Sequence, residues 1–468
     1  MTAQELSDLL KIQQKAFTKS PPGYEQRMEA LASLSEMVEK NQERLIEAVS
    51  QDFGHRSSEE TTILELFPLH DEIKHARRHL KSWMKRKSVR SSWFLLPSTA
   101  YYQFQPLGSV GIMGAWNYQV LLTLSPLVDA IAAGNHAIIK PSEIAPASAE
   151  VIRELINDTF DSSYIYCVTG DAELAKDFSS LPFDHLFFTG STRVGKLIME
   201  AAAPNLTPVT LELGGKSPAI IHESYDLELA AKRIMAGKLF NAGQTCVAPD
   251  YLVMPADLND KFIEYSKQVV EKFYPDIANN KQYSYIISDK HFKRLTSLLE
   301  EAKQKGAKII ELCKTNELPE GMMTPKLVLG VNDEMAIMQE EIFGPLLPVL
   351  NRESVEQGIE YVNANAKPLA LYYFDDNQDR IDHLLKFTLS GGVTINDTIY
   401  HLAQHRLPFG GVGASGMGHY HGFDGFKTFS KKRAVMQQKK FAATDILHPP
   451  YTDIKKKLIG VMGDISKV

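Results

Sequence analysis

Leu211-Glu-Leu-Gly-Gly-Lys216 and Asn241-Ala-Gly-Gln-Thr-Cys-Val-Ala-Pro-Asp250 are the two stretches around which this chain is organised. The first closes an apolar run of strand length and sets one carboxylate, Glu212, directly before a glycine pair. The second sets one thiol, Cys246, after a small polar turn. A thiolate attacks carbonyl carbon, and a well-placed carboxylate activates water. The pair can therefore form a thioester and hydrolyse it. Read locally, Cys246 is equally consistent with a buried structural cysteine, and Glu212 with a charge at a strand end.

Upstream of Glu212, short apolar runs recur at 109–113, 137–140, 165–168, 185–189 and 209–213, with helical segments between them and Pro146 suited to a first helical turn. This alternation predicts a parallel sheet covered on both faces. A second alternating region spans 219–350, with a helix over 290–305 and a loop over 338–345. The glycine-rich run 408–418 is expected to be irregular, and 426–437 reads as a strand. Toward the N-terminus, Leu31, Leu34, Val38, Leu45 and Val49 mark one amphipathic helix over 25–50. A helical region over 58–87 follows, ending in basic residues that read as a solvated face. Trp83, Trp93 and Phe94 are expected to pack. After Pro97, residues 101–105 alternate as an exposed strand would, and the last thirty residues read as a basic, weakly structured tail.

Composition sets the class. The 468 residues are 44% hydrophobic and 23% charged, ordinary for a globular protein with a sizeable core. A net charge of −6 argues against nucleic acid as a partner. Three cysteines without ligand spacing argue against a disulfide framework. Cys167 reads as a core-strand residue and Cys313 as lying near a helix end. The N-terminus lacks the pattern of a signal peptide, and the most apolar window, 120–139, is interrupted by Ser125, Pro126, Asp129 and Asn135. A cytoplasmic protein without a transmembrane segment is expected. His401, His405, His419 and His421 have no acidic or cysteine partner at ligand spacing, so no metal site is expected and they read as surface or domain-contact residues.

The Glu-Leu-Gly-Gly-Lys and Gly-Gln-Thr-Cys blocks resemble those of the aldehyde dehydrogenase superfamily, and Gly243 to Asp250 resembles its class 3 branch. Further blocks stand in that family's order between about residues 106 and 418. Residues 52–57 and 75–84 resemble coniferyl-aldehyde dehydrogenases within class 3. The resemblance implies an α/β fold in three parts: a Rossmann-type cofactor domain, an α/β catalytic domain and a small β oligomerisation element. These are expected at 1–96 and 106–209, at 210–395, and at 97–105 with 420–445, followed by a tail at 446–468.

It further implies Cys246 as nucleophile, Glu212 as base and Asn117 as oxyanion donor. For the cofactor it implies Trp116, Lys140, Glu143, Gly190, Ser191, Gly195, Leu213, Gly214, Glu341 and Phe343. Tyr118 and Phe409 would line the substrate funnel. The loop holding Asn117 departs from the family by having Ala115 and Gln119 where prolines are usual, which predicts a less rigid loop. Glu143 repels a 2′-phosphate, so NAD is expected, with NADP admitted. The activity implied is oxidation of an aromatic aldehyde, such as coniferyl aldehyde, or of a medium- to long-chain aliphatic one, by a homodimer. The alternatives are transfer of the acyl group to coenzyme A, which the presence of Glu212 disfavours, and a non-catalytic dinucleotide-binding scaffold, which Cys246 disfavours.

Overall fold

The computed structural model describes residues 1–314 and 317–465. Its strands are β1 (Lys87–Val89), β2 (Thr99–Pro106), β3 (Ser109–Met113), β4 (His136–Lys140), β5 (Ile165–Cys167), β6 (His185–Gly190), β7 (Val209–Leu213), β8 (Pro218–Ile221), β9 (Tyr251–Met254), β10 (Lys308–Glu311), β11 (Lys326–Leu329), β12 (Leu346–Asn351), β13 (Ala370–Phe374), β14 (Gly392–Ile395), β15 (Gly416–Met417) and β16 (Ser430–Gln437). They form three sheets.

The first sheet has the order β15-β7-β6-β3-β4-β5, parallel except for β15. Its parallel part is the doubly wound order 3-2-1-4-5, whose switch point lies between β3 and β6, and ligands bind outside the carboxyl ends of the strands there. β3 and β4 are buried at every position, as expected when helices cover both faces. The helix Gln119–Ala133, entirely buried, returns the chain from β3 to β4.

The second sheet has the order β10-β11-β12-β9-β8-β13-β14, parallel except for the β10/β11 pair. The third is antiparallel, β1-β2-β16, with eight residue pairs joining Thr99–Pro106 to Ser430–Gln437. It is anchored by aromatic packing: the Phe426 ring lies 5.6 Å from Phe104 and 5.5 Å from Trp83.

Several expectations are corrected. The helix expected over 25–50 is two helices, Tyr24–Lys40 and Gln42–Asp52, broken at Asn41, although the five marker residues all lie in the core. β2 is half-buried along nearly its whole length rather than alternating. The glycine-rich run contributes β15, a two-residue strand paired with Glu212 and Leu211. The strand expected from 426 begins at Ser430, because Gly422–Thr428 is helical. The tail is not weakly structured: Asp453–Ile465 is a helix. Cys313 follows β10 rather than a helix. Trp83 is buried, but Trp93 and Phe94 are exposed. Of the histidines expected at the surface or at domain contacts, His405 and His421 are buried against Glu72, which excludes the surface for these two. The boundary expected after residue 209 falls inside β7, which belongs to the first sheet. Among the described residues no helix is long and apolar enough to cross a membrane.

Truncation of Phe426, which is 1% exposed, should cost about 3–5 kcal/mol. The expected outcome for Phe426→Ala is a clear fall in the urea midpoint; an unchanged midpoint would mean that the small sheet is not docked through this ring.

Candidate active site

Each functional side chain sits where a strand of the first sheet ends or where the second sheet's loops meet it. β3 runs out into Gly114-Ala-Trp-Asn117, and Tyr118 caps the next helix. The missing prolines are compensated by hydrogen bonds. Gln119 Nε2 donates to the carbonyls of Ser142 (3.0 Å) and Ala145 (3.2 Å), and its Oε1 accepts from Ser142 N. Glu65 Oε2 accepts from Val120 N at 2.8 Å and Leu121 N at 3.2 Å, satisfying the first turn's free N–H groups. Its other oxygen is held by Arg56 at 2.7 Å in a fully buried ion pair, and Arg56 also reaches the Asn117 carbonyl at 3.3 Å. The loop is thus fixed, and the expectation of lower rigidity is not met. Glu65 and Arg56 were not legible as support residues, because the π-turn Thr62–Leu66 that aims Glu65 inward has no sequence signal of its own.

The cysteine loop is held as tightly. Asn241, Ala242 and Gly243 have φ of 52°, 50° and 76°, three left-handed residues in succession. Two of them carry side chains that disfavour this conformation, so the turn persists only because its surroundings fix it. Glu60 accepts Asn241 N at 3.2 Å, and Asn241 Nδ2 donates to the Asn117 carbonyl at 2.9 Å. Gln244 Nε2 donates to the Tyr285 carbonyl, and its Oε1 accepts from Ile287 N. At Gly243 a Cβ would collide with the Gly344 carbonyl, so only glycine admits the approach of the loop that carries Glu341. Asn117 Nδ2 donates to the Gln244 carbonyl at 3.1 Å, and the Tyr118 hydroxyl pairs with Thr245 Oγ1 at 2.6 Å. Asn117 and Cys246 are therefore neighbours.

Glu212 lies on β7 with Leu211 and Leu213 turned to the opposite side, into the smaller core cluster. Its carboxyl group is buried, and neither oxygen has a hydrogen-bond partner among the described residues. Burial pushes Glu212 well above the usual carboxylate range. Burial, reinforced by the charges of Glu341 and Glu212, pushes the Cys246 thiol up to about 12. Glu341 is itself raised to about 8, chiefly by burial.

The remaining expected residues line the switch point and its edges. Glu341 lies against Gly214, where a Cβ would strike its carboxylate. Phe343 has φ 52°, and its ring is 5.3 Å from Trp116. Gly190 ends β6, and Ser191 Oγ caps the helix Thr192–Ala202. Gly195 lets that helix rest on Leu213. Lys140, buried at the end of β4, bonds the exposed Glu143 at 3.0 Å. Phe409 is buried and stacks on His421, with ring centroids 5.5 Å apart.

Sequence reasoning quoted Lys216 and Asp250 but gave them no role. Lys216 Nζ pairs with Asp250 and donates to the carbonyls of Ile337 (2.9 Å) and Glu340 (3.0 Å). Asp250 Oδ1 accepts from Ile342 N at 3.0 Å. Lys238 is also buried here, which pulls its pKa down to about 8.

A thiol, a carboxyl group, an amide donor and a helix N-terminus at a switch point suit acyl chemistry beside a dinucleotide. Comparison with known proteins decides the family. Residues 2–435 match the Aldehyde dehydrogenase family. The chain belongs to the aldehyde dehydrogenase family. It is 44% identical over 97% of its length to 95% of a probable coniferyl aldehyde dehydrogenase of Pseudomonas aeruginosa. It is 40% identical, over 92% of the chain and 88% of the relative, to aldehyde dehydrogenase family 3 member A2 of Pongo abelii. A solved structure described as the substrate-bound state of Staphylococcus aureus AldH is 39% identical and superposes with a TM-score of 0.93, covering 99% of this chain and all of that one. This aldehyde dehydrogenase is thus an enzyme of the class 3 type with α/β architecture.

A thiol raised to about 12 is protonated at neutral pH, and its thiolate fraction grows tenfold per pH unit below that value. Alkylation of Cys246 by iodoacetamide in the free enzyme, followed by peptide mass spectrometry, should climb from pH 7 to 9 with no plateau. A plateau near neutrality would show a lowered thiol pKa instead.

Proposed function

We propose that this aldehyde dehydrogenase oxidises an apolar aldehyde to its carboxylic acid with NAD+, NADP+ being an admissible second cofactor, through a thioester on Cys246. The observation that carries the reading is the meeting of Cys246 with a buried Glu212 whose two oxygens have no partner. The residues fit a dinucleotide. Glu341 Oε1 is buried without a partner, the Gly214 cradle has no room for a Cβ, and Ser191 opens a helix N-terminus suited to phosphate. Lys140 and Glu143 would hold the adenosine ribose, Gly190, Ser191 and Gly195 the pyrophosphate turn, and Glu341, Phe343, Trp116, Leu213 and Gly214 the nicotinamide end. When bound, the nicotinamide supplies a positive charge that favours the thiolate, and it accepts the hydride.

Cys246 Sγ adds to the aldehyde carbon, forming a thiohemiacetal. The free N–H of the Asn117 amide and the Cys246 backbone N–H stabilise the oxyanion. Loss of hydride leaves the thioester. Glu212 Oε takes a proton from water as the water attacks the acyl carbon, and the acid leaves as Cys246 regains its thiol. Glu212 has no polar partner to hold it, so it is free to turn toward that water. Tyr118 and Phe409 form an apolar approach suited to an aromatic aldehyde of the coniferyl type or a medium- to long-chain aliphatic one; several relatives carry coniferyl names. The parts fall to 1–96 and 106–213 for the cofactor, 214–395 for the nucleophile, and β2 with β16 for pairing two copies. Free Cys167, Cys246 and Cys313 suit a reducing, cytoplasmic setting.

The deciding assay follows the absorbance of reduced nicotinamide with coniferaldehyde and octanal, each with NAD+ and NADP+. Turnover that Cys246→Ala abolishes supports the reading; nicotinamide binding without turnover of any aldehyde would favour the scaffold, and turnover that requires coenzyme A would favour acyl transfer. Glu212→Gln should slow thioester hydrolysis by about 10²–10⁴-fold. Because burial raises the pKa of Glu212, its base form grows with pH over a higher range than that of an exposed carboxylate. Wild-type deacylation should therefore rise with pH until Glu212 is ionised, while that of Glu212→Gln stays flat; the same slope in both would remove Glu212 from the role of base.

A further inference from the structure

On the far side of Phe409 lies a group of polar side chains that the catalytic reading does not use. Glu72, from the helix Phe67–Trp83, meets His405 and His421 from the glycine-rich segment and its flanks, and one potential ligand atom from each lies within 4.8 Å of the others. They are 0%, 4% and 3% exposed. Asp129, from the helix Gln119–Ala133, stands beside Glu72 and is also fully buried.

What sets the cluster apart is how little it bonds. Both Glu72 oxygens, both His405 ring nitrogens, His421 Nδ1, Asp129 Oδ1 and nearby Ser125 Oγ have no hydrogen-bond partner among the described residues. The Ser125 hydroxyl stands beside Glu72 and the Pro68 carbonyl beside His405, and the other polar contacts are peripheral. His421 N donates to Asp129 Oδ2 at 3.3 Å, and Asp71 Oδ2 stands 3.9 Å from His405 Nε2. Buried polar groups are nearly always satisfied, and a concentration of orphans requires an explanation. Burying two carboxylates side by side without a counter-charge is costly.

We propose that Glu72, His405 and His421 form a structural site for one divalent cation of the zinc class, with the Asp129 carboxylate as charge partner. The donor set, two imidazoles and a carboxylate, suits zinc. Two carboxylates, two neutral imidazoles and a doubly charged cation sum to zero. Histidine binds a metal as the neutral imidazole, and both rings are buried here. His421 has φ 79°, a backbone conformation that needs outside support. The ion would join two N-terminal helices to the segment that carries Phe409 and β15, so its role is to hold the wall behind Glu212. The expectation of no metal rested on the absence of an acidic partner at sequence spacing; Glu72 supplies it across more than 300 residues.

The test uses full-length protein expressed in minimal medium with Co²⁺, an optical stand-in for Zn²⁺. One equivalent of Co²⁺ should remain after gel filtration, with visible ligand-field bands. The bands should persist in Cys246→Ser, which excludes the catalytic thiol as ligand, and vanish in Glu72→Gln and in His405→Gln. Zn²⁺ supplied in the same way should raise the wild-type Tm and leave that of Glu72→Gln unmoved. Circular dichroism verifies that the variants are folded; should either be unfolded, Asp129→Asn, expected to weaken retention at least tenfold, replaces it. Wild-type protein that retains no Co²⁺ and whose Tm ignores Zn²⁺ overturns the proposal, as do bands that survive Glu72→Gln.

Discussion

The ion pair between Lys216 and Asp250 is the contact on which the geometry of the catalytic centre depends. Lys216 lies just past the glycine pair that follows Glu212, and Asp250 just past the turn that carries Cys246. Their bond ties the segment that carries Glu212, the proposed base, to the turn that carries Cys246, the proposed nucleophile. The remaining donors of Lys216 and the second oxygen of Asp250 bind the backbone at residues 337, 340 and 342, so the segment carrying Glu341 and Phe343 is fixed to the same point. Three chain segments, around residues 216, 250 and 340, thereby share one electrostatic node. Buried and multiply hydrogen-bonded, the pair has the geometry in which an ion pair offsets its own desolvation.

Around that node the site is built from glycine and buried charge. Glycine at 214, 243 and 416 allows backbones and carboxylates to approach more closely than any side chain would permit. Glu60, Glu65 and Arg56 then hold the loops by their backbone N–H and carbonyl groups. The result is a centre in which the Glu212 carboxyl group, the proposed base, is left without a hydrogen-bond partner among the described residues.

Much of this was legible in the sequence. The five runs of the first sheet were placed to within a residue or so, because continuous apolar runs between helical patterns leave few readings. Asn117 and the turn that carries Cys246, read as parts of one site, lie side by side. What was missed has physical causes. The break at Asn41 is invisible to a periodicity that carries through a one-residue kink. The helix Gly422–Thr428 is rich in glycine and aromatics, and tertiary packing on Trp83 and Phe104 overrides its poor propensity. The burial of His405 and His421 depends on Glu72 and Asp129, which no local window contains. The rigidity of the loop after β3 is supplied by Gln119 and Glu65 rather than by proline rings, a substitution of mechanism that residue identity alone does not reveal.

The small antiparallel sheet has a consequence for how the molecule is made. β2 pairs along its full length with β16, more than three hundred residues later, and β15 closes the edge of β7 from about two hundred residues away. A chain emerging from the ribosome N-terminus first can assemble β3 to β7 early, yet the edge beside Glu212 and one of the two partners of β2 are missing until residues 416–437 are released. An unpaired β7 edge is a template for another chain. Pairing of β15 and β16 is therefore a late step that covers an edge otherwise open to other chains and completes the wall beside Glu212.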